Sequence, residues 1–582
     1  MNHSVYDKYP EVAVAGYDHE AWQGWEPIIT ALRNRLSQRN NVTLVVDCYP
    51  GVNLRELEQN VFPALQPSQT LNVENARLDE TALHHLLARN LTDDRVFGVL
   101  SCHHLTEFFD ARKMAHLRDQ AESVPGLTII YGPGAALVHP GDVLVYADLP
   151  RWEIQQRMRH EGLSNWGANN ADEDMLRRYK RAFFIEWRVF DRHKTPLLNR
   201  TDFLLDTTQP GKPAMISGDA LRAGLQHTTQ RPFRVMPFFD PGVWGGQWMK
   251  NKFDLDPTAP NYAWCFDCVP EENSLLLRFG NVRIEIPSQD LILLQPRALL
   301  GERVHARFGA EFPIRFDFLD TMQGQNLSFQ VHPLTEYIQQ QFGMHYTQDE
   351  SYYILDAEPG AHVYLGTKNG THPQAMLDDL YAAARGERAF DDARFVNRFP
   401  AKKHDHFLIP AGTVHCSGAG TMVLEISATP YIFTFKLWDW GRLGMDGLPR
   451  PVHLEHGEQV IDWQRNTDWV MKNLVNRIDP IAQGDGWHEE RTGLHEREFI
   501  ETRRHWFTAP VTHHTGGGVN VLNLVEGDEA VVESPTQAFC PFIVRYAETF
   551  IVPASVGEYR ISPTRTSQGQ RLATIKAWVR GE

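Results

Sequence analysis

The stretch 327–425 constrains this chain more than any other. It reads LSFQVHP at 327–333, TQDESYYIL at 347–355, HFLIPAGTVHCSGAG at 406–420 and MVLEIS at 422–427. Four side chains able to hold a divalent metal fall in it: Gln330, His332, Glu350 and His415. Gln330 and His332 are two apart in a run of strand-favouring residues, so a pleated strand points both to one face. Glu350 opens the apolar run SYYIL, which predicts a neighbouring strand. His415 follows the turn Pro410-Ala411-Gly412-Thr413, placed after the strand-like 407–409. Two imidazoles, a carboxylate and an amide oxygen leave a coordination position open, which is how catalytic zinc sites differ from structural ones.

Taken singly, a Q-x-H on a strand or a Glu before an apolar run is ordinary surface sequence. The order is what carries weight: Q-x-H-P, a Glu about twenty residues on, then P-A-G-T-x-H before a Gly-rich turn. That order resembles the class I mannose-6-phosphate isomerases, metal-dependent cupins. The resemblance runs from about 244 to about 574 and is strongest at 327–333 and 407–425. It extends to WDWGR at 438–442 and to 450–455. It implies that Gln330, His332, Glu350 and His415 hold zinc, and that Ser328 stands where relatives touch the substrate phosphate. Imidazole and carboxylate ligands would also accept manganese, iron or cobalt.

An aldose–ketose isomerase must move a proton between C1 and C2 of an open-chain sugar through an enediol. That needs a Lewis acid at the two oxygens and a base within hydrogen-bond reach. Here the chain departs from the family it resembles. Relatives carry a Lys two residues before the ligand Glu, and this chain has Gln348. They carry a catalytic Arg before the D-W-G-R-like segment, where this chain has Lys436, and an Asp just upstream, whereas 428–435 holds no acidic residue. Lys436 keeps the cation, loses the planar fork of a guanidinium, and can give up its proton when buried. Period two groups it with Thr434, opposite Phe433, Phe435 and Leu437. We therefore expect Lys436 to contact substrate and to act in proton transfer.

The first two hundred residues have another rhythm. Short apolar runs at 43–47, 96–100, 127–131 and 143–146 alternate with helical stretches at 25–36, 80–89 and 153–159. This predicts an α/β layer of parallel strands covered by helices. The segments at 142–159 and 179–194 resemble the late strand and arginine-bearing lid of uridine-kinase-like P-loop proteins. Yet after the first strand the chain reads DCYPGVNLRE, with no G-x-x-x-x-G-K-[ST] to cradle a phosphate. The expectation is a kinase-like domain, 1–206, without kinase activity, followed by a linker at 207–230.

Beyond the linker, short strands separated by Gly, Pro, Asn and Asp predict an all-β double cupin (jelly-roll) region. HFLIPAGTVH at 406–415 is echoed by TFIVPASVGE at 549–558, with Glu558 in the place of His415 and no Q-x-H upstream of it. This suggests a first cupin region at 231–475 with the metal and a second at 476–582 without one. His513 and His514, just before three glycines, read as surface loop residues.

At 582 residues the chain needs several cores, and its charge of −16 argues against a nucleic-acid surface or an acidic membrane. No apolar run reaches the length of a membrane span, and the first sixteen residues do not read as a secretory signal. Six scattered cysteines, with one C-x-x-C at Cys265 and Cys268, fit a reducing, cytoplasmic setting. The expected function is a zinc-dependent isomerase of a sugar phosphate such as mannose 6-phosphate. A cupin isomerase or epimerase acting on another sugar, and a metal-binding sugar sensor without turnover, stay open, as does a homo-oligomer.

Overall fold

The computed structural model describes residues 5–37, 40–431, 433–493 and 498–581. The first half builds a seven-stranded sheet. Its parallel strands lie in the order Gln69–Asn72, Leu127–Gly132, Val42–Cys48, Val143–Asp148, Phe203–Asp206. Val42–Cys48 and Val143–Asp148 are buried almost throughout, as strands covered on both faces must be. The helix Trp25–Leu36 turns Ile28, Ile29, Leu32 and Leu36 inward, an i, i+4 stripe.

Three expectations fail in this half. The run 96–100 is not a strand: it crosses irregularly to the other half, where Leu100 N–H donates to the Phe342 carbonyl at 2.8 Å. It is apolar because it is buried between two units, and burial of that kind gives the same signal as a core strand. The stretch 207–230 is no linker. Ala214–Ser217 extends the sheet antiparallel to Phe203–Asp206, and the helix Gly218–Thr228 packs into the same core. Ser217 caps that helix through the Ala220 N–H. Nor does the α/β unit begin at the start of the chain, since Glu11–Ala13 pairs in parallel with Leu276–Arg278 of the second half.

That second half contains two barrels of paired antiparallel sheets. In the first, a six-stranded sheet holds Asp349–Ala357 between His406–Ile409 and Thr421–Ala428, with Ile314–Asp320 next. Its five-stranded partner holds His362–Thr367, His415–Ser417, Phe329–Val331 and Phe435–Trp438 in that order. The second barrel pairs a six-stranded sheet with a four-stranded one and has its own core around Phe507, Leu522, Leu524, Phe550 and Tyr559. The echoed segment forms the strand Thr549–Val552, and Glu558 opens the strand Glu558–Pro563 with its side chain exposed. His513 corrects another expectation: it is buried on the strand Val511–His514, its ring stacked on Tyr559 at 5.2 Å, and only His514 is exposed.

Candidate metal centre

The two sheets of the first barrel bring Gln330, His332, Glu350 and His415 together. Gln330 and His415 are register partners on neighbouring strands, so their side chains leave the sheet on one face. Glu350 comes from the facing sheet. His332 Nε2 lies 3.1 Å from Glu350 Oε2, and His415 Nε2 lies 2.9 Å from Glu350 Oε1. Gln330 Nε2 is 3.3 Å from His415 Nε2, and turning that amide over would present its oxygen instead. All four residues are buried.

Each imidazole is fixed from behind. His332 Nδ1 bonds the Phe433 carbonyl at 2.8 Å and His415 Nδ1 bonds the Thr413 carbonyl at 2.8 Å. A carbonyl accepts only, so Nδ1 carries the proton in both rings and each Nε2 keeps its lone pair for the shared space. His332 Nε2 and Glu350 Oε1 are buried without a well-aimed hydrogen bond. Polar atoms stranded in this way, aimed at one point, are what a bound cation would satisfy. The donor set therefore fits a divalent metal. Burial opposes ionisation of Glu350, but without a metal a ring that takes a proton on Nε2, His332 first, donates to it and holds its carboxyl well below the ordinary range.

Behind Glu350 lies a layer of polar side chains, of which sequence reasoning named Gln348 only as a departure from a pattern, without a partner. Gln348 Nε2 donates to Glu350 Oε2 at 2.8 Å and to Glu425 Oε1 at 3.1 Å, while its oxygen accepts the Phe433 N–H at 2.8 Å. Glu425 stands directly across from Asp317 and from Tyr352 on the two adjoining strands. Burial raises the Asp317 carboxyl to about 7, with Glu350 adding to the rise and Arg315 opposing it. Burial likewise raises Glu425, helped by Asp317 and Glu350. Alternation along 348–350 was a readable sign that Gln348 shares the Glu350 face.

Lys436 is the register partner of Gln330 on the other side from His415, which places its side chain on the metal-directed face. Its ammonium makes no hydrogen bond or ion pair among the described residues, and burial lowers it to about 8, with Arg450 contributing. Arg442 and Arg450 both clamp Asp439. Lys436, Arg442 and Arg450 thus surround a single carboxylate, leaving a surplus of positive charge near the site. Sequence reasoning placed Arg442 and Arg450 inside a resemblance but gave neither a role. Ser328, two residues before Gln330, is buried with its hydroxyl unpartnered. Cys265 and Cys268 are buried free thiols without metal partners among the described residues.

The α/β unit packs against the face of this sheet that points away from the metal-directed side chains. Phe97 packs on Phe433 at 4.8 Å, on Phe435 at 5.3 Å and on His453 at 4.6 Å. The Asp47 carboxylate, at the end of Val42–Cys48, accepts the N–H groups of Gly134 (3.2 Å) and Ala136 (2.8 Å) and bonds His193 at 2.9 Å. Nearby, Lys194 is held between Asp148 at 2.9 Å and Asp290 of the second half at 2.7 Å.

Comparison with known proteins divides the chain at the same place. Residues 24–230 match the model of a family described as a domain of unknown function, DUF8485. Mannose-6-phosphate isomerase ManA of Bacillus subtilis is 28% identical over 235 residues, covering 40% of this chain and 69% of that protein. The mannose-6-phosphate isomerase of Streptococcus mutans is 27% identical over 221 residues, covering 38% and 64%. The alignments thus span about two thirds of these relatives. Among solved structures, the Bacillus subtilis mannose 6-phosphate isomerase aligns over 60% of this chain and 99% of its own, at 17% identity and a TM-score of 0.48. A zinc-bound mannose 6-phosphate isomerase aligns over 60% and 99%, at 15% identity and a TM-score of 0.46.

Proposed function

We propose that the chain is a metal-dependent aldose–ketose isomerase interconverting a sugar phosphate, mannose 6-phosphate and fructose 6-phosphate foremost. The observation that carries this reading is the convergence of two imidazole Nε2 atoms and one carboxylate on a single buried point, with a free lysine ammonium on the same face. The sequence likeness to mannose-6-phosphate isomerases supports the substrate class.

His332, Glu350, His415 and Gln330 would hold zinc, which when bound would polarise the carbonyl and neighbouring hydroxyl of the open-chain sugar. The chain's own groups do the rest. Lys436 in its neutral form takes the proton from C2 of the aldose and, as an ammonium, returns it to C1 of the enediol, while the hydroxyl proton of O2 passes to O1, giving the ketose; the reverse reaction runs through the same two states. Ser328 and the cationic side chains of Arg442 and Arg450 bind the phosphate end. Gln348 keeps Glu350 oriented.

The α/β unit acts in this reading as a cover, with a kinase-like ancestry and no phosphotransfer. The support is the turn after Val42–Cys48, which reads YPGVNLRE, with Pro50 lacking an N–H and no Lys to meet a phosphate. Six free cysteines fit a cytoplasmic setting, and no helix among the described residues is long and apolar enough to cross a membrane.

The test is a coupled assay of mannose 6-phosphate to fructose 6-phosphate on zinc-loaded protein, beside a panel of hexose phosphates and free sugars. Turnover of a phosphosugar that disappears in His415→Ala, together with its bound zinc, supports the reading. Turnover of free sugars alone, or binding without turnover, replaces it.

A further inference from the structure

Away from the metal centre, a cavity of about 810 Å³ lies between the barrels. One wall is the mouth of the second barrel, where Glu501, Arg503 and Trp578 line it. Register places these three on that barrel's inner face: Arg503 is opposite Lys576, Glu501 is opposite Trp578, and the same face continues through His505 to Phe507 in the core. The opposite wall is Thr347 and Asp349, which lie either side of Gln348 and so point away from the metal-directed face. Arg307, Tyr346, Phe499 and Arg580 close the rim.

The chemistry of this lining is specific. Arg307 and Arg580 are exposed cations with no ion pair among the described residues. Among the described residues the Arg580 guanidinium donates only to the Glu498 backbone carbonyl, at 2.5 Å, and Arg307 lies over the Phe499 ring at 4.9 Å. Arg503, by contrast, is committed to Glu489 at 2.9 Å and Glu501 at 2.5 Å. Two open guanidinium forks match the oxygens of a phosphate. The Trp578 ring beside them has Arg503 5.1 Å and Lys576 4.7 Å from its centroid. Trp578, Tyr346 and Phe499 are half-buried, offering flat apolar surface of the kind on which the C–H face of a sugar ring can rest. Barrel mouths are a favoured place for small-molecule sites.

We propose that the mouth of the metal-free barrel is a second, non-catalytic binding site for a sugar phosphate, with Arg307 and Arg580 taking the phosphate and Trp578 the ring. The proposal is independent of what the metal centre does. An occupant would touch Asp349, whose carboxylate accepts the Ala411 N–H at 2.7 Å in the turn leading to His415, so the site adjoins the supports of Glu350 and His415.

The experiment is calorimetry with glucitol 6-phosphate, which has no carbonyl to isomerise, on the full chain and on three variants. His415→Ala removes a metal-directed residue; Arg307→Gln/Arg580→Gln alters only exposed side chains; Trp578→Ala tests the ring platform. Binding that persists in His415→Ala, weakens at least about tenfold in the double Arg variant, and fails with unphosphorylated glucitol is the expected result. Weakening in Trp578→Ala assigns the ring. Binding lost in His415→Ala, or unchanged in the double Arg variant, or equal for glucitol, overturns the proposal and leaves the isomerase reading to its own assay.

Discussion

Gln330 and Lys436 stand directly opposite one another on adjacent antiparallel strands, and Gln330 faces His415 on its other side. Three side chains from three neighbouring strands therefore rise from one face of the sheet. A lysine there, lowered to about 8 mainly by burial, holds a useful fraction of neutral amine near neutral pH. Lys436→Ala should lower kcat by at least about 100-fold, the scale of general acid–base catalysis, with zinc content unchanged. The neutral fraction grows with pH, so wild-type kcat should rise to a plateau through about pH 8. In Lys436→Arg that limb should vanish, because the guanidinium stays charged. A change of less than about twofold in Lys436→Ala, the size usual for a surface substitution, would move the chemistry to another residue.

Gln348 offers a separate prediction. Replacing it with Ala strands Glu350 Oε2 and the Phe433 N–H, both of which it satisfies. Loss of such an orienting contact costs about 10–100-fold in metal affinity. Zinc titration against a competing chelator measures this, and an unchanged affinity would mean that the imidazoles alone place Glu350.

How much of this was legible in the chain differs residue by residue. His332, Glu350 and His415 stood out through the order Q-x-H-P, Glu, P-A-G-T-x-H and the family it resembles, and Lys436 because it stands where that family carries an Arg. The role of Gln348 was hidden, since a departure from a familiar pattern does not say what the new side chain bonds. The run around Phe97 read as a strand because burial between units and burial inside a sheet select the same residues. The strand Ala214–Ser217 was missed among Thr, Pro and Gly, which mark turns without saying whether the segment between them rejoins a sheet. His513 looked like loop because three glycines follow it, yet the turn begins only after His514.

The turn after Val42–Cys48 predicts that the full chain shows no heat of binding with millimolar ATP and Mg²⁺. It reads YPGVNLRE, without the glycines and Lys that cradle a phosphate, and the buried Asp47 carboxylate stands just before it. Micromolar binding in wild type would show that another loop does phosphate work.

His406 predicts acid sensitivity. It is fully buried, neither ring nitrogen has a partner among the described residues, and burial, followed by Arg504, depresses it to about 3. The unfolded chain, with histidine near 6.5, binds this proton first. The stability it supports is complete above about pH 6.5 and is lost as pH falls toward 3, at roughly 1.4 kcal/mol per pH unit. Urea midpoints from pH 7 to 5 should fall less steeply in His406→Gln than in wild type. Parallel slopes would place a compensating group beside it.

Glu11–Ala13 runs alongside Ser274–Phe279, and Met236 bridges to Ser274 near the start of that same strand. The polypeptide therefore departs from one strand, builds the whole α/β unit, and comes back to where it left. Such an excursion leaves and rejoins the second half at two neighbouring points, as an inserted domain does. A fragment beginning at 231 would lose the strand that seals one edge of its smallest sheet, and that bare edge would invite another copy to pair with it.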